Sequence, residues 1–152
     1  LNLPMDEIKP LAIASIKDST MMYFSCDVGK FLNSKTGILS LRNYDYASLF
    51  ATDFPLTKAE RIATFASASS HAMTLMAVDL DAEGKARKWK VENSWGPTSG
   101  HRGHLIMTDE WFDEYMFRLV VDRRYLPAAT LRLLDQEPVK LPAWDPLFAG
   151  EE

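Results

Sequence analysis

Two stretches of the chain carry strand-like patterning around a polar turn. Residues 71–80 (HAMTLMAVDL) and 86–95 (ARKWKVENSW) flank the turn residues DAEGK, and together they predict a β-hairpin. Residues 20–28 (TMMYFSCDV) form an apolar and aromatic run that predicts a buried strand, and GKFLNSKTG after it reads as a loop. GHLIMT at 103–108 and MFRLVVDRR at 116–124 predict two further strands. Helical spacing appears elsewhere. PLAIASIK at 10–17 predicts a short helix with Pro10 in its first turn, where a missing N–H does least harm. LTKAERIATFA at 56–66 predicts a helix whose Thr57 and Glu60 form a capping box and whose Ala59, Ile62, Ala63 and Ala66 share an apolar face. DEWFDEY predicts a helix capped by Asp109, and PAATLRLLDQ a last helix with Pro127 at its start. The remainder, EPVKLPAWDPLFAGEE, is punctuated by prolines and has no periodicity. Antiparallel strands with segregated helices give the fold class α+β.

Composition changes this picture little. The 152 residues are 47% hydrophobic and 25% charged, enough for one domain with a core of its own. A formal net charge of -4 argues against nucleic acid or an anionic membrane as the main partner. No apolar run approaches the ~20 residues of a membrane span, and no secretory signal opens the chain. The single cysteine, Cys26, excludes an internal disulfide and fits a reducing compartment. The chain has no initiator Met, and LNLPMDEIKPLAIASIK reads as sequence from the middle of a protein, so the expectation is a fragment.

The polar residues of the hairpin raise a chemical question. Asn93 follows Trp89 and Val91 on one face of its strand, so its amide falls where a core is expected. A buried amide without a partner costs roughly 1–3 kcal/mol. His71 opens the other strand, and the turn near Glu83 and Gly84 puts both residues at the open end of the hairpin. The expected partner of the Asn93 oxygen is therefore the His71 ring, with Trp95 lying over the pair to exclude water. Such a bond fixes a ring's tautomer and orientation, the task of the third group in a nucleophile–base–orienter arrangement. The competing reading is a core histidine satisfied by a nearby amide.

The motifs HAMTLMAVDL, KWKVENSWG and GHRGHLIMTDEWF resemble the catalytic His and Asn segments of the papain-like cysteine peptidases. ASIKD, CDVGK, LTKAERI, MTDEWF, VVDRR and LPAWDP extend the resemblance almost end to end, to the bleomycin hydrolase and aminopeptidase C branch. The resemblance implies the C-terminal, β-rich half of a papain-like fold over residues 1–141 and a C-terminal arm over 142–152. It implies that His71 is the general base and partner of a catalytic thiolate, that Asn93 orients it, and that Trp95 shields their bond. The nucleophilic Cys and the Gln that donates to the oxyanion would lie in a missing N-terminal half, since the chain has no Gln–x–x–Cys pattern and its only glutamine is Gln136. It further implies a cytoplasmic thiol aminopeptidase acting on peptide substrates, hexameric when full length, with no cofactor or metal. The arm would lie in the cleft, its terminal carboxylate at Glu152 meeting the substrate's N-terminal ammonium, with Trp144 and Phe148 as anchors. The alternative is a non-catalytic fragment or pseudoenzyme that binds peptides or partners.

Other candidate chemistry is weaker. Cys26 ends an apolar strand beside Asp27; burial and a neighbouring carboxylate both raise a thiol's pKa, so it is expected to be inert. His101 and His104 in HRGH are two of the four ligands a zinc site commonly needs, and they read as a turn into a strand. Met21, Met22, Met73, Met76 and Met107 are expected in the core. Lys85, Arg87, Lys88 and Lys90 read as a solvated strand edge.

Overall fold

A computed structural model of the chain describes residues 1–148. Helix α1, Met5–Lys17, begins five residues earlier than the sequence predicts, with Pro4 before it and Asp6 and Glu7 in its first turn. Pro10 therefore lies inside the helix and not at its start. Strand β1, Met22–Cys26, is buried at every position except Tyr23. The stretch expected as a loop, 29–37, instead contains a minimal strand, β2 at Leu32–Asn33, paired antiparallel with β3 at Ile38–Leu39 immediately after it.

Two short helices follow. In α2, Tyr46–Phe50, Asp45 accepts from the Ser48 N–H. In α3, Lys58–Ala63, the capping box of Thr57 and Glu60 is complete, with the Thr57 N–H donating to Glu60 at 2.7 Å. The expected apolar face of α3 packs only in part: Ile62 is half-buried, whereas Ala59, Ala63 and Ala66 are exposed. The cations Lys58 and Arg61 face the body instead. Lys58 Nζ donates to the carbonyls of Asp113 and Met116 at 2.8 and 2.6 Å, and Arg61 pairs with Glu114. Long cationic side chains bury their stems and satisfy the last carbonyls of a neighbouring helix, which an alanine cannot do. Burial pushes the Lys58 amine down to about 8.

The hairpin forms as predicted from β4, His71–Leu80, and β5, Ala86–Glu92, with Leu75 opposite Val91 and a bulge before Ala77. Strand β6, His104–Thr108, pairs antiparallel with β5 and parallel with β3. Helix α4, Asp109–Tyr115, is capped by Thr108, whose hydroxyl accepts from the Trp111 N–H, and not by Asp109. Asp109 accepts from the Trp89 indole at 2.9 Å and from Lys9 instead. Strand β7, Met116–Leu119, and helix α5, Ala128–Leu131, follow.

Among the described residues seven strands form one sheet in the order β2-β3-β6-β5-β4-β1-β7. Strand β5 is thus interior, and Lys88 is exposed on the outer face of a central strand, not along an edge. The core joins Phe24, Leu75, Trp89, Val91, Leu105, Met107, Trp111 and Phe112. Trp89 stacks on Phe112 with centroids 4.7 Å apart. Met22, Met73 and Met107 are buried as expected, whereas Met21 is exposed. The described part of the tail includes a 3-10 turn at Pro146–Phe148. Trp144 is 82% exposed and Phe148 56%, so neither anchors the tail on these residues as the sequence suggested. Glu152 lies outside the described residues.

Candidate active site

His71 and Asn93 come together at the open end of the hairpin. His71 sits at the first position of β4, opposite Cys26 of β1. Asn93 follows the last residue of β5, and its N–H donates to Gly103 O at 2.9 Å, which ties it to the loop before β6. The imidazole Nε2 lies 2.8 Å from Asn93 Oδ1.

The direction of this bond follows from a third group. The backbone N–H of Ser94 points at the same Asn93 Oδ1 at 2.8 Å. A backbone N–H can only donate, so that atom is the carbonyl oxygen and not the amide nitrogen. Facing an acceptor, His71 Nε2 carries the proton and donates it. The neutral ring then holds its lone pair at Nδ1, which is the atom able to accept a proton. Asn93 is only 9% exposed, and its Nδ2 is buried with no hydrogen-bond partner among the described residues. Trp95 covers the pair: its ring centroid is 5.0 Å from that of His71, tilted by 32°, and the indole is 44% exposed. An indole over the imidazole shields the Nε2–H bond from water, where a hydrogen bond is worth more.

The loop carrying Trp95 is held by close backbone contacts. Gly100, at φ +58, leaves room for the His104 carbonyl, which a Cβ there would meet at 2.4 Å. Gly37, at φ +71, lies against Gly100, which its own Cβ would meet at 2.7 Å. These glycines pin the residue 94–103 loop to the β2–β3 turn. Beside the pair, on the sheet's outer face, opens a pocket of about 330 Å³ bounded by Tyr23, Ala72, Thr74 and Glu92.

The remaining candidates stand apart. Cys26 is fully buried, and burial first, then the Asp27 charge, push its thiol up to about 12. His101 and His104 form an isolated bridge, with the His101 N–H donating to His104 O at 2.9 Å. Among the described residues no group of three or more His, Cys, Asp or Glu is placed to hold a metal ion. No helix among them is long and apolar enough to cross a membrane. Sequence reasoning missed Asp27 as more than a neighbour of Cys26. It is fully buried, and it accepts from Ser67 Oγ at 2.7 Å. A carboxylate inside an otherwise apolar strand ending was the available signal.

Comparison with known proteins gives a consistent result. The Peptidase C1-like family model matches residues 1–148. Bleomycin hydrolase of Homo sapiens is 48% identical over 154 residues, which is 99% of this chain and 34% of that protein. Aminopeptidase C of Lactococcus lactis is 42% identical over 149 residues, covering 98% of this chain and 34% of the relative. The crystal structure of PepW from Lactobacillus rhamnosis superposes with a TM-score of 0.91 at 41% identity, over 98% of this chain and 34% of that one. The chain thus spans about a third of the length of the relatives it matches.

Proposed function

The chain belongs to the Peptidase C1-like family, and from that premise we propose that it is the base-bearing portion of a thiol aminopeptidase. Its sheet and helices are the C-terminal, β-rich part of the papain-like fold, and the relatives carry hydrolase names. The observation that carries the reading is the His71 Nε2–H bond to Asn93 Oδ1, 2.8 Å long, beneath the Trp95 ring.

In this reading Nδ1 of His71 faces a cysteine thiol supplied by the upstream portion of the full-length protein. His71 takes the thiol proton, and the thiolate attacks the carbonyl of the first peptide bond of the substrate. The imidazolium then gives that proton to the leaving amine, and an acyl-thioester remains. Water attacks the thioester with Nδ1 as base and frees the N-terminal residue. Asn93 keeps the ring turned and its tautomer fixed through both steps, and Trp95 keeps water from competing for the Nε2 proton. An upstream Gln donates to the oxyanion, and no metal or organic cofactor is required.

The terminal arm, with Glu152 as its carboxylate, would select free N-termini by pairing with the substrate ammonium and would block longer chains. A cytoplasmic setting agrees with the lone buried cysteine. Taken by itself, the chain carries only half of such a site, so a non-catalytic peptide-binding role applies to it in isolation.

The test is made on the full-length protein. It is expected to hydrolyse aminoacyl substrates and not N-blocked ones, to lose activity to a thiol alkylator, and to lose it equally in the His71→Ala variant. Alkylator-resistant hydrolysis, or full activity in His71→Ala, would falsify the reading.

A further inference from the structure

The segment that delivers His71 to Asn93 is built from residues with little structural preference of their own. Residues 66–70 read ASASS, and they leave α3 through Phe65, a bulky residue at φ 59. Small serine-rich segments are ordinarily mobile. This one is laced to the end of β1. The Ser70 N–H donates to Cys26 O at 3.1 Å, and Ser69 Oγ donates to Ser25 Oγ at 2.9 Å. Ser67 Oγ donates to Asp27 Oδ2 at 2.7 Å, and Ser70 Oγ approaches Asp27 Oδ1 at 3.5 Å.

Asp27 is the unusual member. Its side chain is fully buried, and among the described residues it takes part in no ion pair. A carboxylate so placed is costly unless its lone pairs are filled by well-directed donors. The side-chain donors it has are the hydroxyls of Ser67 and Ser70, both within four residues of His71. Its own N–H donates to Tyr115 O at 3.0 Å, so the backbone that carries the carboxylate is tied to the end of α4. A purely apolar residue at 27 would fill the space as well, and would leave Ser67 without an acceptor.

We infer that Asp27 is a positioning residue for His71: it clamps the serine segment through Ser67 and so sets where the imidazole enters the sheet and whether it reaches Asn93. The inference rests on the reading of His71 as the base. Asp27 acts on the ring only through the backbone between Ser67 and His71, and it does not touch substrate. Cys26, its neighbour, then has the plain task of filling the core and offering its carbonyl to Ser70.

The experiment uses the full-length protein with active thiols titrated, so that rates are per competent site. Asp27→Ala is expected to lower kcat about 100-fold, the scale of an ångström's misplacement of a catalytic group. KM is expected to change by less than about 2-fold, because substrate contacts stay in place. Asp27→Asn keeps one acceptor for Ser67 and recovers most of the loss. Ser67→Ala lowers kcat in the same direction, and it gives the answer if Asp27→Ala does not fold. With the histidines labelled with nitrogen-15, the Nε2–H resonance of His71 is expected in the wild type and in Asp27→Asn, and lost or broadened in Asp27→Ala and Ser67→Ala. An unchanged kcat per titrated thiol in Ser67→Ala, with the His71 resonance intact, overturns the inference, as does a loss carried by KM. If His71→Ala itself remains active, the base assignment fails instead, and the resonance still reports whether Asp27 positions the ring.

Discussion

Asn93 reaches His71 along the diagonal of the hairpin, not straight across it. Thr74 pairs with Glu92, so continuing that register sets Met73, not His71, opposite Asn93. Diagonal neighbours on a sheet face lie about 7–8 Å apart, within reach of only the longer side chains. The amide and the ring together span that diagonal with a bond of 2.8 Å. Nothing shorter than Asn at position 93 can make it.

Removing that amide is expected to act on turnover. In the full-length protein Asn93→Ala should lower kcat roughly 10- to 100-fold while KM changes much less, because the amide touches the base and not the substrate. Steady-state kinetics on an aminoacyl substrate measure both. A change carried mainly by KM would make Asn93 a substrate-binding residue.

Cys26 should behave as a spectator. Its thiol is raised from an ordinary 9.0 to about 12, by burial first and the Asp27 charge second. Alkylation of Cys26 should be slow in the folded chain at pH 7 to 9 and complete on unfolding. The sign for stability follows from the raised value: the contribution is intact below pH 9.0 and drains away as the pH climbs through about 12, because the unfolded thiol ionises first. Cys26→Ala should flatten that decline in denaturant titrations. The purified 152-residue chain should show no peptidase activity. Turnover that is blocked by an alkylator and abolished by Cys26→Ser would contradict this.

How much of this was legible depends on what each signal measures. The hairpin and the His71–Asn93 pair were readable because strand patterning and a DAEGK turn fix the register within a residue or two, and a polar residue on an apolar face asks for a partner. The pair β2 and β3 was not, because two-residue strands carry no period to read. The start of α1 is displaced because a proline at 10 suits a helix start as well as one at 4 does; the acidic pair Asp6 and Glu7 after Pro4 is the truer signal. The face of α3 differs because an apolar stripe carries no sign of the carbonyls of Asp113 and Met116, which draw Lys58 inward and leave only Ile62 of the stripe half-buried. Asp27 stayed hidden because nothing local shows that Ser67, 40 positions away, folds onto it.

The exposed apolar residues predict association. Leu49, Phe50, Phe54, Leu56 and Phe65 are 44% to 72% exposed, and Trp95 is 44% exposed. Contiguous apolar surface beyond a few hundred Å² is rare on a monomer. The isolated chain should therefore self-associate, or bind a separately made upstream portion of the full-length protein. Sedimentation showing a monomer at high concentration, with no affinity for that portion, would go against it.

Selection of free N-termini is expected to need the arm. Deleting residues 149–152 from the full-length protein should weaken the preference for free N-termini and open N-blocked or internal bonds to hydrolysis. Paired assays on blocked and unblocked peptides measure the ratio. An unchanged ratio would remove the arm, and Glu152 with it, from the specificity mechanism.

Two glycines with left-handed backbone give the sharpest separation of strain from overlap. Gly84 and Gly100 both have positive φ, +81 and +58, so alanine at either is strained by about 1–2 kcal/mol. At Gly84, in the hairpin turn, a Cβ meets nothing within 4 Å, so strain is the whole cost. At Gly100 the same Cβ would lie 2.4 Å from the His104 carbonyl and 2.8 Å from Leu105 Cδ2. Backbone cannot yield there without moving the residue 94–103 loop, because the Gly103 N–H bonds Ser99 O and the Asn93 N–H bonds Gly103 O, each at 2.9 Å. Gly100→Ala in the full-length protein should thus cost clearly more stability than Gly84→Ala and should also lower kcat, since the loop carries Trp95 and ties down Asn93. Gly84→Ala should leave kcat unchanged. Thermal unfolding and kinetics on the two variants side by side decide it. Equal stability losses with kcat unaffected in both would mean that the loop tolerates displacement, and that Trp95 does not need its present seat over His71.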